Sequence, residues 1–154
     1  MGIQNYFCSY RLSDGTKVKV HLYDTAGQEK YNAISEQYYK ITDCCLLVYS
    51  IADKSSFLEC KNYFNDCIKE KCKQNIKVVV LGNKTDLEDQ REVSSEEGAG
   101  FALENNYIFM EASCLKNDNV AKAFETLIET TNIESKKNPI NLKNNKNKKK
   151  KCSC

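Results

Sequence analysis

The sequence predicts an α/β protein with a mainly parallel sheet, and three observations carry that expectation. Residues 44–50 (CCLLVYS) and 76–82 (IKVVVLG) are continuous apolar runs, which suit strands covered on both faces, as in a parallel sheet. Helical spacing fills the intervals: Phe57, Cys60, Phe64 and Ile68 follow an i, i+3, i+4 rhythm across 54–72, and Val120, Phe124, Leu127 and Ile128 do so across 118–132. Strands that alternate with helices in this way are built from strand–helix–strand units.

Taken in chain order, residues 5–12 and 16–23 come first. In TKVKVHLY, Val18, Val20 and Leu22 take one face and Lys17, Lys19 and His21 the other, which predicts a half-exposed strand. Asp14-Gly15 stands just ahead of it and predicts a hairpin with 5–12. His21 falls on the charged face and has no catalytic role assigned to it. The apolar strand 44–50, the helix 54–72 and the apolar strand 76–82 follow. Ser94 with Glu97 composes a capping box that opens a helix running to about Asn105. A short strand over 107–110 (YIFM) and the helix over 118–132 complete the series. From 136 onward Asn and Lys dominate, which predicts disorder. The expected organisation is one domain over 1–135 and a disordered tail over 136–154, with no internal repeat.

Composition bounds the class. The 154 residues are 41% hydrophobic and 29% charged, with one Pro and six Gly, as in one soluble globular domain. No apolar run approaches the roughly 20 residues of a membrane helix. The opening MGIQNYFCSYR has no apolar signal region, so no secretory route is expected. The formal charge of +2 hides an asymmetry: residues 136–151 hold eight Lys and no acid, and the remainder holds 15 basic and 21 acidic residues. An acidic body with a basic tail is a poor nucleic-acid binder, whatever the whole-chain pI suggests. The nine cysteines are odd in number and show no C-x-x-C spacing, so neither a disulfide framework nor a zinc site is expected. Most fall at apolar positions and read as small buried hydrophobes in a reducing compartment.

Three loop motifs carry chemistry. Asp24-Thr25-Ala26-Gly27-Gln28-Glu29 directly follows the strand 16–23, and ligands of α/β sheets collect at the carboxyl ends of strands. A carboxylate there can hold Mg²⁺ through water, a Gly lets a backbone N–H approach a phosphate, and a neighbouring Gln can orient an attacking water. Alone, D-x-x-G reads better as a polar loop. Asn83-Lys84-Thr85-Asp86 follows the strand 76–82. Its carboxylate can accept two N–H bonds from a guanine edge, while Asn ties loops together and the Lys stem covers the base. Glu111-Ala112-Ser113-Cys114 follows the short strand, and its backbone N–H groups could meet a base carbonyl. Order and spacing make the set specific: 59 residues separate Asp24 from Asn83, and 30 separate Asn83 from Ser113.

With these motifs the chain resembles a small GTPase of the Ras superfamily, and most closely the Rab family. DTAGQE, NKTD and EASC match three of that superfamily's guanine-nucleotide motifs. Tyr38-Tyr39-Lys40, SSEEG at 94–98, Asn119-Val120 and the terminal Cys-Ser-Cys add to the Rab likeness, which covers about 1–135 and the last three residues. The resemblance implies a three-layer, P-loop NTPase-like small G domain that acts as a GTP/GDP switch in vesicle traffic. It makes Asp24 the water-mediated Mg²⁺ residue, with Thr25 and Ala26 beside it. Gly27 becomes the γ-phosphate contact and Gln28 the residue that positions the hydrolytic water. Asn83, Lys84 and Asp86 become the guanine readers, and Ser113, Cys114 and Leu115 the remainder of the base pocket. The family's aromatic effector triad maps to Tyr6, Tyr23 and Tyr38; as sequence alone, these are also ordinary amphipathic positions.

Two departures stand out. Leu115 occupies the place where the family has Lys, with Lys116 one position later. More severely, the 154 residues contain no G-x-x-x-x-G-K-[ST], the loop whose N–H groups and Lys cradle phosphates. Aligned back from Asp24, Met1 falls at or beside the family's Mg²⁺-ligating Thr, so the first strand, phosphate loop, first helix and most of the first switch have no counterpart. By the resemblance that strand lies between 17–23 and 44–50. Its loss is expected to leave two unpaired strand edges, uncovered apolar faces and marginal stability. The chain reads as a Rab GTPase truncated at its N-terminus and inactive as written; the alternative is a non-hydrolysing short form that binds effectors or prenylation machinery.

At the other end Lys143, Lys146 and Lys148–Lys151 precede Cys152-Ser153-Cys154. This is not a C-a-a-X box, and Tyr6 occupies the place of the Ser or Thr that myristoylation at Gly2 requires. It resembles the doubly geranylgeranylated Cys-x-Cys ending of Rab proteins, with Cys152 and Cys154 as lipidation sites. Two lipid chains, or one with a basic patch, hold a protein stably on a membrane. The resemblance thus implies the cytosolic face of endomembranes, with cycling through the cytosol, and effectors, a GEF, a GAP, GDI and prenylation machinery as partners. A nuclear-localisation or RNA-binding role for Lys148–Lys151 is disfavoured by the acidic body and the terminal cysteines.

Overall fold

The computed structural model describes residues 4–24 and 39–137. Strands and helices alternate within them: β1 (Gln4–Arg11), β2 (Lys17–Asp24), β3 (Cys44–Ser50), α1 (Lys54–Tyr63), β4 (Lys77–Asn83), α2 (Ser95–Glu104), β5 (Ile108–Glu111) and α3 (Val120–Lys137). Two shorter helical pieces lie between them, a π-helical stretch Phe64–Lys69 that continues α1 and a 3₁₀ stretch Thr85–Gln90 after β4. The single helix expected over 54–72 is therefore α-helical only to Tyr63; the wider turns beyond still deliver Ile68 to the core.

The apolar runs form a parallel sheet in the order β3-β4-β5, with Leu47 opposite Val80 and Leu81 opposite Met110. Successive side chains alternate between its faces. Leu47, Tyr49, Val78 and Val80 meet Phe57 and Cys60 of α1 and Phe101 and Ala102 of α2. On the other face Leu81, Leu46 and Met110 meet Val120 and Ala123 of α3. Helices on both faces give the three layers expected. The capping box closes as predicted: the Glu97 N–H donates to Ser94 Oγ at 3.1 Å, and the Ser94 N–H donates to Glu97 Oε2 at 3.2 Å. Several cysteines behave as small hydrophobes. Cys60 lies in the core and Cys45 and Cys72 pack against it; burial pushes the Cys45 and Cys60 thiols up to about 12, which keeps both protonated at neutral pH.

β1 and β2 pair antiparallel as a hairpin, in register from Gln4 opposite Asp24 to Arg11 opposite Lys17. The Leu12 N–H donates to the Thr16 carbonyl at 2.8 Å and the Gly15 N–H to the Leu12 carbonyl at 2.9 Å, and Gly15 takes φ +84°, a conformation that favours glycine. Leu12 near the tip is buried, and the tip meets α3 where the Ser13 N–H and Oγ both donate to the Glu129 carboxylate, at 2.6 and 3.1 Å. The hairpin is a sheet of its own: among the described residues no strand pairs β2 with β3. Among the described residues the outer edges of β2 and β3 are unpaired, as expected. Val18 and Val20 are half-buried, whereas Leu22 is 41% exposed and Val48 of β3 is 49% exposed.

Tyr49 and Gly98 show how tightly the larger core is filled. The Tyr49 hydroxyl is buried without a hydrogen-bond partner among the described residues. A Cβ on Gly98 of α2 would meet that hydroxyl and the Phe109 ring. Gly98→Ala is expected to cost about 1–3 kcal/mol through overpacking. Tyr49→Phe removes a polar atom buried without compensation and is expected to raise stability by about 1 kcal/mol. Urea unfolding of both variants checks the pair; a Tyr49→Phe protein less stable than the parent would mean that the hydroxyl has a partner.

Candidate functional site

The carboxyl ends of β4 and β5 place two loops side by side. Asn83 is the last residue of β4. Its Oδ1 accepts from the Lys84 N–H at 2.8 Å and from the Cys114 N–H at 3.2 Å, so one amide side chain spans both loops. Lys84 takes a left-handed conformation, φ 68° and ψ 38°, a costly geometry for a residue with a Cβ and one that collects at functional sites. The strain turns the chain at once into the 3₁₀ stretch that carries Asp86.

The second loop is equally tied. The Ser113 Oγ donates to Asp86 Oδ1 at 2.5 Å and accepts from the Lys116 N–H at 3.0 Å. Ser113 itself is completely buried and Asp86 half-buried, so the bond between them is partly shielded from water. The Thr85 N–H donates to the Ala112 carbonyl at 3.1 Å. The Ser113 N–H donates to the Asp118 carbonyl at 3.1 Å, and the Asn119 Nδ2 donates to the Glu111 carbonyl at 3.0 Å. Left-handed Asn117 and Asn119 let the loop fold back for these bonds. Cys114 and Leu115 stand at the surface, and Leu115 is 82% exposed. Asn83, Asp86, Ser113 and Cys114, which the motifs singled out separately, form one hydrogen-bonded group. A carboxylate and an exposed apolar side chain at one rim are what a planar heterocycle with adjacent N–H donors requires.

Asp24 ends β2, within the hairpin sheet, at the carboxyl end of its strand but not in the sheet that carries the other loops. Thr25, Ala26, Gly27 and Gln28 lie outside the described residues, as do Tyr38, Cys152 and Cys154. Tyr6 pairs opposite Leu22, and Tyr23 opposite Asn5. Strand alternation therefore sends Tyr6 and Tyr23 to opposite faces of the hairpin, with Tyr6 exposed and Tyr23 half-buried.

One group escaped the motifs. The Arg91 guanidinium meets Glu88 through Nε and Nη2, at 2.8 and 2.7 Å, and Glu111 through Nη1 and Nη2, at 2.7 and 3.1 Å. Ser95 Oγ adds a bond to Glu111 Oε1 at 3.0 Å. An isolated Arg after a polar loop carries no sequence signal of such a role; Glu111 was visible only as the first letter of EASC.

A parallel sheet with two helical crossovers on one face, and paired loops at its strand ends, defines an α/β protein of the small G-domain class. The sequence model of the Ras family matches residues 1–133, and the chain belongs to that family. It is 39% identical over 137 residues to Ras-related protein Rab-11B of Dictyostelium discoideum, covering 87% of this chain and 62% of that protein. It is 42% identical over 115 residues to GTP-binding protein ypt3 of Schizosaccharomyces pombe, covering 75% and 53%. It is 39% identical over 131 residues to GTP-binding protein ypt2 of the same yeast, covering 85% and 63%. The chain thus spans 53% to 63% of the length of these relatives.

Two carboxylates near these loops depend on cationic partners. Hydrogen bonding to Arg91 holds Glu88 below the usual carboxylate range, and Lys54, with the Ser94 N–H, does the same for Glu97. Because the folded-state values are lowered, their stabilisation is present above the ordinary Glu value of 4.5 and is lost as pH falls through the folded-state values. Urea midpoints should fall between pH 6 and pH 3, and Glu88→Gln should flatten that dependence; an unchanged pH slope in Glu88→Gln would contradict the assignment.

Proposed function

We propose that this chain carries the guanine-reading part of a Rab-type molecular switch in vesicle traffic. The observation that supports it most is the Ser113–Asp86 bond, which fixes a carboxylate beside the Asn83–Cys114 link at the ends of neighbouring strands. In this reading Asp86 accepts from the N1–H and 2-amino groups of guanine, Asn83 holds the two loops together, and the Lys84 stem and Leu115 cover the base. The Ser113 and Cys114 backbone completes the base pocket. The donor set fits guanine, and it fits adenine poorly, because that ring edge lacks an adjacent pair of donors for the carboxylate.

The phosphate side rests on less. Asp24 is the residue to hold Mg²⁺ through water, Thr25 and Ala26 flank it, Gly27 offers an N–H to the terminal phosphate and Gln28 positions a water. When bound, Mg²⁺ and the triphosphate supply a polarised phosphorus centre and a charge whose neutralisation lowers the barrier. The 154 residues contain no G-x-x-x-x-G-K-[ST], so hydrolysis requires a phosphate cradle beyond them. That absence also favours a second reading, a short form that engages effectors or prenylation machinery without hydrolysing GTP.

Membrane attachment belongs to the same proposal. Among the described residues no helix is long and apolar enough to cross a membrane. Geranylgeranyl groups on Cys152 and Cys154, with the lysines before them on a tail over 136–154, would hold the domain over 1–135 on the cytosolic face of endomembranes. Effectors, a GEF, a GAP and GDI are the partners this reading implies, with Tyr6, Tyr23 and Tyr38 as the effector contacts.

Asp86→Asn tests the base assignment. Replacing the carboxylate loses charge-assisted bonds of about 1.5–3 kcal/mol, so guanosine binding should weaken roughly tenfold to a hundredfold. Xanthosine, with a carbonyl in place of the 2-amino group, should gain. Titration of the 154-residue chain followed by NMR reads both. Equal binding of guanosine by parent and variant would remove Asp86 from its role.

A further inference from the structure

The Arg91 guanidinium has five N–H donors, and each finds an acceptor. Nε donates to Glu88, Nη2 to Glu88 and Glu111, and Nη1 to Glu111 and, at 3.0 Å, to the Val93 carbonyl. A planar fork used this fully fixes the geometry of whatever it joins, because no donor can be re-aimed without loss. What it joins matters. Glu88 lies in the 3₁₀ stretch that carries Asp86, and Glu111 ends the strand that leads through Ala112 to Ser113. The Arg91 and Glu111 side chains are only 17% and 21% exposed, while that of Glu88 is 64% exposed. The Glu111 carbonyl is also held by Asn119 and its carboxylate by Ser95. Arg91 therefore sits beneath the rim, bonded to the supports of both loops and to neither of the groups that face outward.

We propose that Arg91 is a positioning residue for guanine recognition. It sets the separation between the Asp86 segment and the Ser113 loop, and so decides whether the Asp86 carboxylate reaches both N–H groups of the base edge or only one. The proposal rests on the guanine reading above. Three direct bonds join the loops, Ser113 to Asp86, Cys114 to Asn83 and Thr85 to Ala112. Arg91 adds a link through a rigid fork beneath them, at Glu88 and Glu111, which holds the spacing of the segments from below. Lys at this position keeps the charge but cannot span two carboxylates with a rigid fork.

The difference between guanosine and inosine isolates the effect, because inosine lacks only the 2-amino group. NMR titration of the full 154-residue chain with each nucleoside gives the ratio of affinities. That ratio does not depend on the folded fraction, since partial unfolding weakens both equally. The parent should prefer guanosine by about tenfold, the size expected for one hydrogen bond to a carboxylate. Arg91→Lys should bring the preference below about threefold, and Glu111→Gln, which loosens the same link from its other side, should do likewise. Glu88→Gln weakens the hold of Arg91 on the Asp86 segment and should lower the preference as well, by less, because that contact is exposed. Parental preference retained in both Arg91→Lys and Glu111→Gln would overturn the positioning role while leaving the guanine reading intact. A parent chain that does not distinguish guanosine from inosine would overturn both.

Discussion

The contact on which the site depends is the one between Ser113 and Asp86. It joins two loops that leave neighbouring parallel strands, and it does so from a completely buried side chain. A hydrogen bond to a carboxylate in a shielded place is stronger than one in water and costly to leave unmade. Everything near it is arranged to keep its ends in place. Asn83 spans the loops above, Arg91 links their supports below, and the parallel pairing of β4 with β5 fixes the spacing from which both loops start. The strain at Lys84 is tolerated because these partners determine the local backbone from both sides.

The rest of the chain divides unevenly around that point. The three-stranded sheet with α1, α2 and α3 has two packed faces and a closely filled core. The β1–β2 hairpin is tied to α3 through Ser13 and Glu129, and Leu22 on its apolar side is exposed. The loops after β4 and β5 stand on the well-packed part. Asp24 ends a strand of the hairpin. The residues proposed to read a base thus rest on the packed sheet, while the proposed Mg²⁺ residue closes a strand whose outer edge is unpaired among the described residues.

Much of this was legible in the sequence, and the limits have identifiable causes. The continuous runs 44–50 and 76–82 announced strands buried on both faces, because only such strands can be apolar at every position. Ser94 and Glu97 announced a helix start through chemistry confined to four residues. The three loop motifs marked strand ends, and the structure brings Asn83, Asp86, Ser113 and Cys114 together. Periodicity says which side chains share a face but not what covers that face, so Leu22 was expected inside and is exposed. Tyr6 and Tyr23 were grouped by the family resemblance alone, and the hairpin places them on opposite faces. Arg91 was invisible because its meaning lies in a contact 20 residues away with Glu111.

The most direct test of the account maps where a base binds. Guanosine added to the isotope-labelled 154-residue chain should shift the backbone amides of Asn83 to Asp86 and of Ser113 to Leu115, and adenosine at equal concentration should leave them in place. Shifts spread over the hairpin or the outer helices, or equal shifts from the two nucleosides, would contradict the claim that these paired loops read guanine.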